Sequence, residues 1–142
     1  MKNIIAVLLT LLVLTAIGLT ACTCQTEEIA LEDTPWVLES YGEPGNLQAV
    51  LEDTEITALF DSAEDKVSGS AGCNNYFAGY EINNNEVSII APVGSTEMYC
   101  EGIMEQEDRY LELLESAETF QIQDKKLHIF SSGGQKLIFK VQ

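Results

Sequence analysis

The chain has 142 residues, 46% of them apolar and 21% charged, with 7 basic against 23 acidic side chains and a net charge of −16. That length suits one domain with a sizeable core. So negative a chain excludes nucleic acid as a partner and docking on anionic headgroups, and the acids read first as a solubilising surface.

Residues 1–21 read as a signal segment. Lys2 supplies the positive start, residues 4–17 are apolar and broken only by threonines, and Leu19-Thr20-Ala21 places small residues ahead of Cys22. Leu19-Thr20-Ala21-Cys22 resembles the lipobox of prokaryotic lipoproteins, which implies acylation of Cys22 as the mature N-terminus. A plain membrane anchor is the rival, but the run is short for one and no basic stop-transfer cluster follows. Lys2 is the sole charge removed with this segment, so the mature chain is one unit more negative. Its expected place is the cell membrane or the outer membrane, held by the lipid. Thr23 rather than Asp follows Cys22, which in a host with two membranes favours the outer one. Residues 22–33 are polar and lack a period, and read as a lipidated tether. Cys24 sits on that tether without an assigned role.

The domain is expected over residues 34–142. Trp36 and Leu38 alternate with Val37 and Glu39, a first strand, and residues 42–46 carry Gly, Pro and Asn and should turn. Ile56, Ala58 and Phe60 share one face of a second strand, and residues 67–71 form a third. Tyr76, Ala78, Tyr80 and Ile82 alternate through a fourth. Asn83-Asn84-Asn85 turns the chain into a fifth, over residues 86–90. The period then changes. From 101 to 117 the apolar residues fall three and four apart, which predicts an amphipathic helix. Residues 119–123, 126–130 and 136–141 read as three more strands, with Leu137, Phe139 and Val141 on one face. The fold class is therefore α+β: a curled antiparallel sheet, a half-open barrel of about eight short strands, covered by one helix.

The densest stretch is residues 69–80, with three glycines, Cys73, the pair Asn74-Asn75 and two tyrosines. Gly72 and Asn74 permit φ > 0, so the chain can turn sharply there and present Cys73 to a second cysteine. An exported domain permits oxidation, and with Cys22 lipidated and Cys24 on the tether, Cys73 and Cys100 are the natural disulfide pair. The rival reading is two reduced, buried cysteines. On the helix, stepping about 100° per residue from Ile103 puts Leu114 near 20°, Glu107 near 40° and Leu111 near 80°. Glu107 thus lies within the apolar stripe, where a carboxylate needs partners. The structural reading is a lock: Glu107 accepts hydrogen bonds from N–H groups of the 72–74 turn or from a tyrosine hydroxyl. The rivals are an acid in a ligand cleft and a side chain that snorkels to solvent.

Other chemistry is sparse. The single histidine, His128, sits in a strand opposite to Leu127 and Ile129 and reads as a surface residue. A zinc site from Cys73, Cys100 and His128 would need a fourth ligand and a reducing compartment. Asp61, Glu64 and Asp65 do not have calcium-loop spacing. No nucleophile elbow or phosphate loop is present, so no cofactor, metal or catalytic residue is expected.

Trp36-x-Leu38, Gly69-x-x-Gly72-Cys73-Asn74-x-Tyr76-x-x-x-Tyr80, Thr96-x-Met98-x-Cys100 and Glu107-x-x-Tyr110-Leu111-x-x-Leu114 together resemble the META domain family, which includes the heat-shock protein HslJ and lipoprotein relatives. The resemblance spans nearly the whole mature chain, and Glu97 departs from its pattern. It implies a half-open antiparallel barrel with a helix, an envelope location, an association with stress and no catalytic activity. Two functional classes stand ahead of an unrecognised enzyme. One is a noncatalytic envelope module that supports the cell surface or binds another envelope protein. The other is a small-ligand or lipid-binding half-barrel, which requires an open cleft among Phe60, Tyr76, Tyr80 and Leu111.

Overall fold

The computed structural model describes residues 29–142. The signal segment, Cys22 and Cys24 lie outside the described residues. The chain order is β1 (Trp36–Glu43), β2 (Asn46–Ala49), β3 (Thr57–Asp61), β4 (Lys66–Ser70), β5 (Asn75–Asn83), β6 (Glu86–Ser95), α1 (Met104–Glu115), β7 (Ala117–Gln123), β8 (Lys126–Ser131) and β9 (Lys136–Val141). The α+β class agrees with the sequence pattern, and so does a single α-helix among the described residues.

The sheet goes further than a half-open curl. Each strand pairs with its neighbour in the order β2-β1-β3-β4-β5-β6-β7-β8-β9, and β9 returns to pair antiparallel with β1. Register partners run from Trp36 with Val141 to Gly42 with Lys136. Eight strands therefore form a closed antiparallel barrel, with β2 outside it. The weak seam lies between β6 and β7, which share only the pair Glu86 with Thr119. The helix joins those two strands and packs on β6, β8 and β9, covering the barrel where they diverge. Closure removes the exposed edges that an open sheet would leave.

Alternation explains the core. Val67 on β4, Tyr76, Ala78 and Tyr80 on β5, Val87 and Ile89 on β6, and Leu127 and Ile129 on β8 all point inward and are buried. Two elements escape the sequence pattern. β2 is exposed at every position, so it carries no alternating apolar signal. It is the return arm of a hairpin that extends β1 through Gly42 and Glu43, and the chain reverses at Pro44-Gly45. β6 runs to Ser95, past the expected end at Ile90, and its second half is mostly exposed.

The packed domain also reaches back further than residue 34. Leu31 is buried in the core, the Trp36 Nε1–H donates to the Leu31 carbonyl at 2.9 Å, and Glu32 forms a parallel bridge with Phe60. Residues 29–33, read from sequence as the end of a tether, are thus docked on the barrel. Among the described residues no helix is long and apolar enough to cross a membrane.

Candidate functional site

Where β4 passes into β5, the chain turns over Ala71-Gly72-Cys73-Asn74. Gly69, just before it, is required by space: a Cβ there would sit 2.1 Å from the Thr57 carbonyl oxygen on β3. Gly72 is required by conformation, with φ at +112°. Asn74 does not use a positive φ. Its value lies in its side chain.

Glu107, 3% exposed, reaches from α1 into this turn. Its Oε2 accepts the Cys73 N–H at 3.0 Å and the Asn74 N–H at 2.7 Å, and its Oε1 accepts the Asn74 side-chain amide at 2.6 Å. Three donors face an acceptor-only group, which suits a carboxylate in the first turn of a helix. The partners are the backbone amides of residues 73 and 74; the Gly72 N–H goes instead to Ser70 Oγ, and no tyrosine takes part. The Asn74 amide also donates to the Met98 carbonyl at 3.0 Å, and its oxygen accepts the Thr96 hydroxyl and the Met98 N–H. Cys73 is joined to Cys100, with Cα atoms 5.9 Å apart. Turn, helix and the loop after β6 are thereby clasped at one point.

Tyr76 extends the clasp inward. Its hydroxyl donates to the Thr57 carbonyl at 2.9 Å and lies 2.7 Å from the Tyr110 hydroxyl. Because the single Tyr76 proton is used on Thr57, Tyr110 is the donor between the two. Burial raises the pKa of both phenols. Next along the helix, Gln106 accepts the Leu51 N–H and donates to Thr54 Oγ1, holding the loop before β3. Thr57, Gln106 and the hydroxyl roles of Thr96 and Tyr110 are not evident from the sequence. Only Gln106, a buried polar neighbour of Glu107 on the helix, left a periodic signal there.

The remaining candidates are dispersed. His128 is half-buried beside Phe130, and burial together with Lys136 and Lys126 lowers its pKa. Asp61 caps its own turn through the Ala63 and Glu64 amides, and Glu64 pairs with Lys66. Among the described residues no group of acids, cysteines or histidine is placed to hold a metal ion. Phe60, Tyr76 and Tyr80 are buried in one core, Phe60 edge-on to Tyr80, and the half-buried Leu111 packs against that core, so the cleft that a half-barrel ligand site requires is filled.

The META domain family profile matches residues 29–142. This chain belongs to the META domain family. The matched span begins at the docked segment around Leu31 rather than at residue 34. No curated protein matches the chain. Among solved structures, the META domain here is similar to a protein from Burkholderia xenovorans solved by NMR, with 23% identity and a TM-score of 0.66 over 84% of this chain and 96% of that one. It is also similar to a DUF4847 family protein from Bacteroides vulgatus, with 13% identity and a TM-score of 0.55 over 78% of this chain and 93% of that one. At these identities the likeness concerns the fold alone.

Proposed function

We propose that this META domain is a noncatalytic module of the cell envelope, held to a membrane by lipid on Cys22, that acts in stress-related upkeep of the surface by binding another envelope protein. The observation that carries this reading is the saturation of Glu107. The buried carboxylate of the domain has both oxygens committed to structural donors, which leaves it poorly placed to exchange protons with a substrate. The filled interior supports the same reading over a ligand-binding half-barrel. Leu59, Phe77 and Ile90, exposed on the outer face of β3 to β6, supply apolar surface of the kind that protein contacts use.

The test has two parts. Mass spectrometry of the mature N-terminus should find acyl mass on Cys22, and Cys22→Ala should leave the membrane fraction or remain unprocessed. An unmodified Cys22 on a membrane-bound protein would defeat the anchor. Photocrosslinking residues placed at Phe77 and Ile90 in living cells should give a discrete protein adduct that the same probe at Lys140, exposed on β9 across the barrel from β5, does not. Equal labelling from both faces would defeat the docking reading.

A further inference from the structure

One backbone edge of the sheet is unused. In the β1–β2 hairpin the Val50 N–H donates to the Glu39 carbonyl at 3.3 Å, and the register continues through Tyr41 with Gln48 to Glu43 with Asn46. Hydrogen-bonded pairs alternate along an antiparallel ladder. Residues 46, 48 and 50 therefore bond to β1, while the N–H and C=O groups of Leu47 and Ala49 point away from it. β2 stands last in the strand order, and among the described residues no strand pairs with its far side. Asn46-Leu47-Gln48-Ala49 is exposed throughout and carries no charge, proline or bulge, devices that commonly block an edge.

The edge opens on a groove. Tyr41 and Gln48 are direct cross-strand partners and so share a face. Both line a groove of 690 Å³ whose far wall is the exposed side of α1, with Glu105, Asp108 and Arg109. Leu47 and Ala49 lie on the other face, where Leu47 is 38% exposed. A strand laid against β2 would meet two donors and two acceptors, from Leu47 and Ala49. Its side chain opposite Gln48 would enter the groove, and its neighbours would lie beside Leu47 and Ala49. Extended peptides dock on free sheet edges in this way, the main chain giving affinity and pockets for alternate side chains giving specificity.

The helix wall then selects the side chain that enters. Arg109 is engaged by Glu112 and Gln135. Glu105 and Asp108 have no ion-pair partner among the described residues. In a chain of net charge −16 this wall favours a basic side chain and repels an acidic one.

We propose that β2 binds an extended segment of another protein as an added antiparallel strand, with a lysine or arginine opposite Gln48. The backbone edge supplies the binding, and the helix wall supplies its sign. The strands β1, β3 and β4 separate this edge from β5 and the face around Phe77. The site therefore goes beyond the docking reading above and stands or falls apart from it.

The probe is the peptide acetyl-Thr-Val-Lys-Val-Thr-amide, titrated into the isotope-labelled full chain in neutral detergent micelles and followed by amide NMR. The amide protons of Leu47 and Ala49 should move downfield saturably and exchange more slowly, while that of Gln48, already bonded to β1, should move little. N-methylation of either valine removes an N–H that faces β2 and should weaken binding at least about tenfold. N-methylation of the lysine, whose N–H faces away, should change it little. These arms alter only the probe and do not depend on a variant folding. Replacing the peptide lysine by glutamate should weaken binding about fivefold. Glu105→Gln with Asp108→Asn should shrink that preference and leave the Leu47 and Ala49 shifts in place. Unmoved Leu47 and Ala49 amides, or equal effects of N-methylation at valine and lysine, would overturn the added strand. Equal binding of the lysine and glutamate peptides would overturn the basic occupant. Concentration-dependent shifts of Leu47 and Ala49 without peptide would mean that a second copy takes the edge, and would also overturn the proposal.

Discussion

The two ends of the barrel are closed by different means. At the end where β4 turns into β5, closure is covalent and polar: the Cys73–Cys100 bond, the Glu107 carboxylate and the Asn74 amide hold turn, helix and loop together. At the other end of the same strands, Leu31 plugs the core, and a few hydrogen bonds hold it there, from Trp36 Nε1 to Leu31, from the Asp33 N–H to Phe60, and from the Tyr80 hydroxyl to Glu32. The first closure depends on matched donors and acceptors, so removing one member orphans the rest. The second depends on apolar burial, which is graded and non-directional. Docked directly after the expected tether, the plug is also the end on which any pull along the chain would act first.

Glu107→Ala is the sharpest way to break the clasp. It orphans two backbone amides and one side-chain amide, and should cost about 3 kcal/mol in denaturant melts. Glu107→Gln should cost less, because the amide keeps one acceptor oxygen. The two halves of the clasp share Cys73, so they should not be additive. With the disulfide reduced, itself a loss of about 3 kcal/mol in the chain-entropy account, Glu107→Ala should cost measurably less than in the oxidised protein. An Ala variant as stable as the parent would mean that the carboxylate holds nothing. Strict additivity would mean that the two devices act separately.

Leu31→Ala tests the plug. Deleting the buried side chain should cost about 2–3 kcal/mol, the low end for such sites because residues 29–33 can relax outward. Trp36 fluorescence should shift as the loosened segment draws its backbone carbonyl at residue 31 away from the indole N–H. By hydrogen exchange, the Asp33 amide should open well below the global unfolding energy while the Asn74 amide stays protected. Equal protection of both amides in the parent would remove the distinction between the two ends.

The clasp was legible in the sequence because its parts break local rules. A carboxylate inside an apolar helical stripe and a Gly-Cys-Asn turn between strands are conspicuous, and both needed a partner. The alternating strands of the barrel were legible for the usual reason, a period of two. Three things were hidden. The plug has too few residues to show a period, and Ile29-Ala30-Leu31 reads as a polar tether's end. The β2 arm is exposed throughout, so nothing alternates. Barrel closure depends on the pairing of β1 with β9 across the length of the domain, and no local pattern reports a pairing so distant.

The tyrosine pair beneath the clasp gives the smallest effect and a pH signature. Tyr110→Phe removes a donor to Tyr76 and should cost about 1 kcal/mol. Tyr76→Phe should cost about twice as much, because it leaves both the Thr57 carbonyl and the Tyr110 hydroxyl unpaired. Burial raises both pKa values above the ordinary 10.0, so the folded state keeps protons that the unfolded chain releases. Their contribution is therefore fully present below pH 10 and is lost as the pH rises from there through the folded-state values. The slope is about 1.4 kcal/mol per pH unit for each tyrosine in that window. Urea melts between pH 8 and about pH 11.5 should show a flat stability that falls above 10 in the parent. The fall should be shallower in either Phe variant and shallowest in the double variant. A slope unchanged by both substitutions would mean that these hydroxyls ionise as readily in the folded barrel as in the unfolded chain, and that the pair is not sealed beneath the clasp.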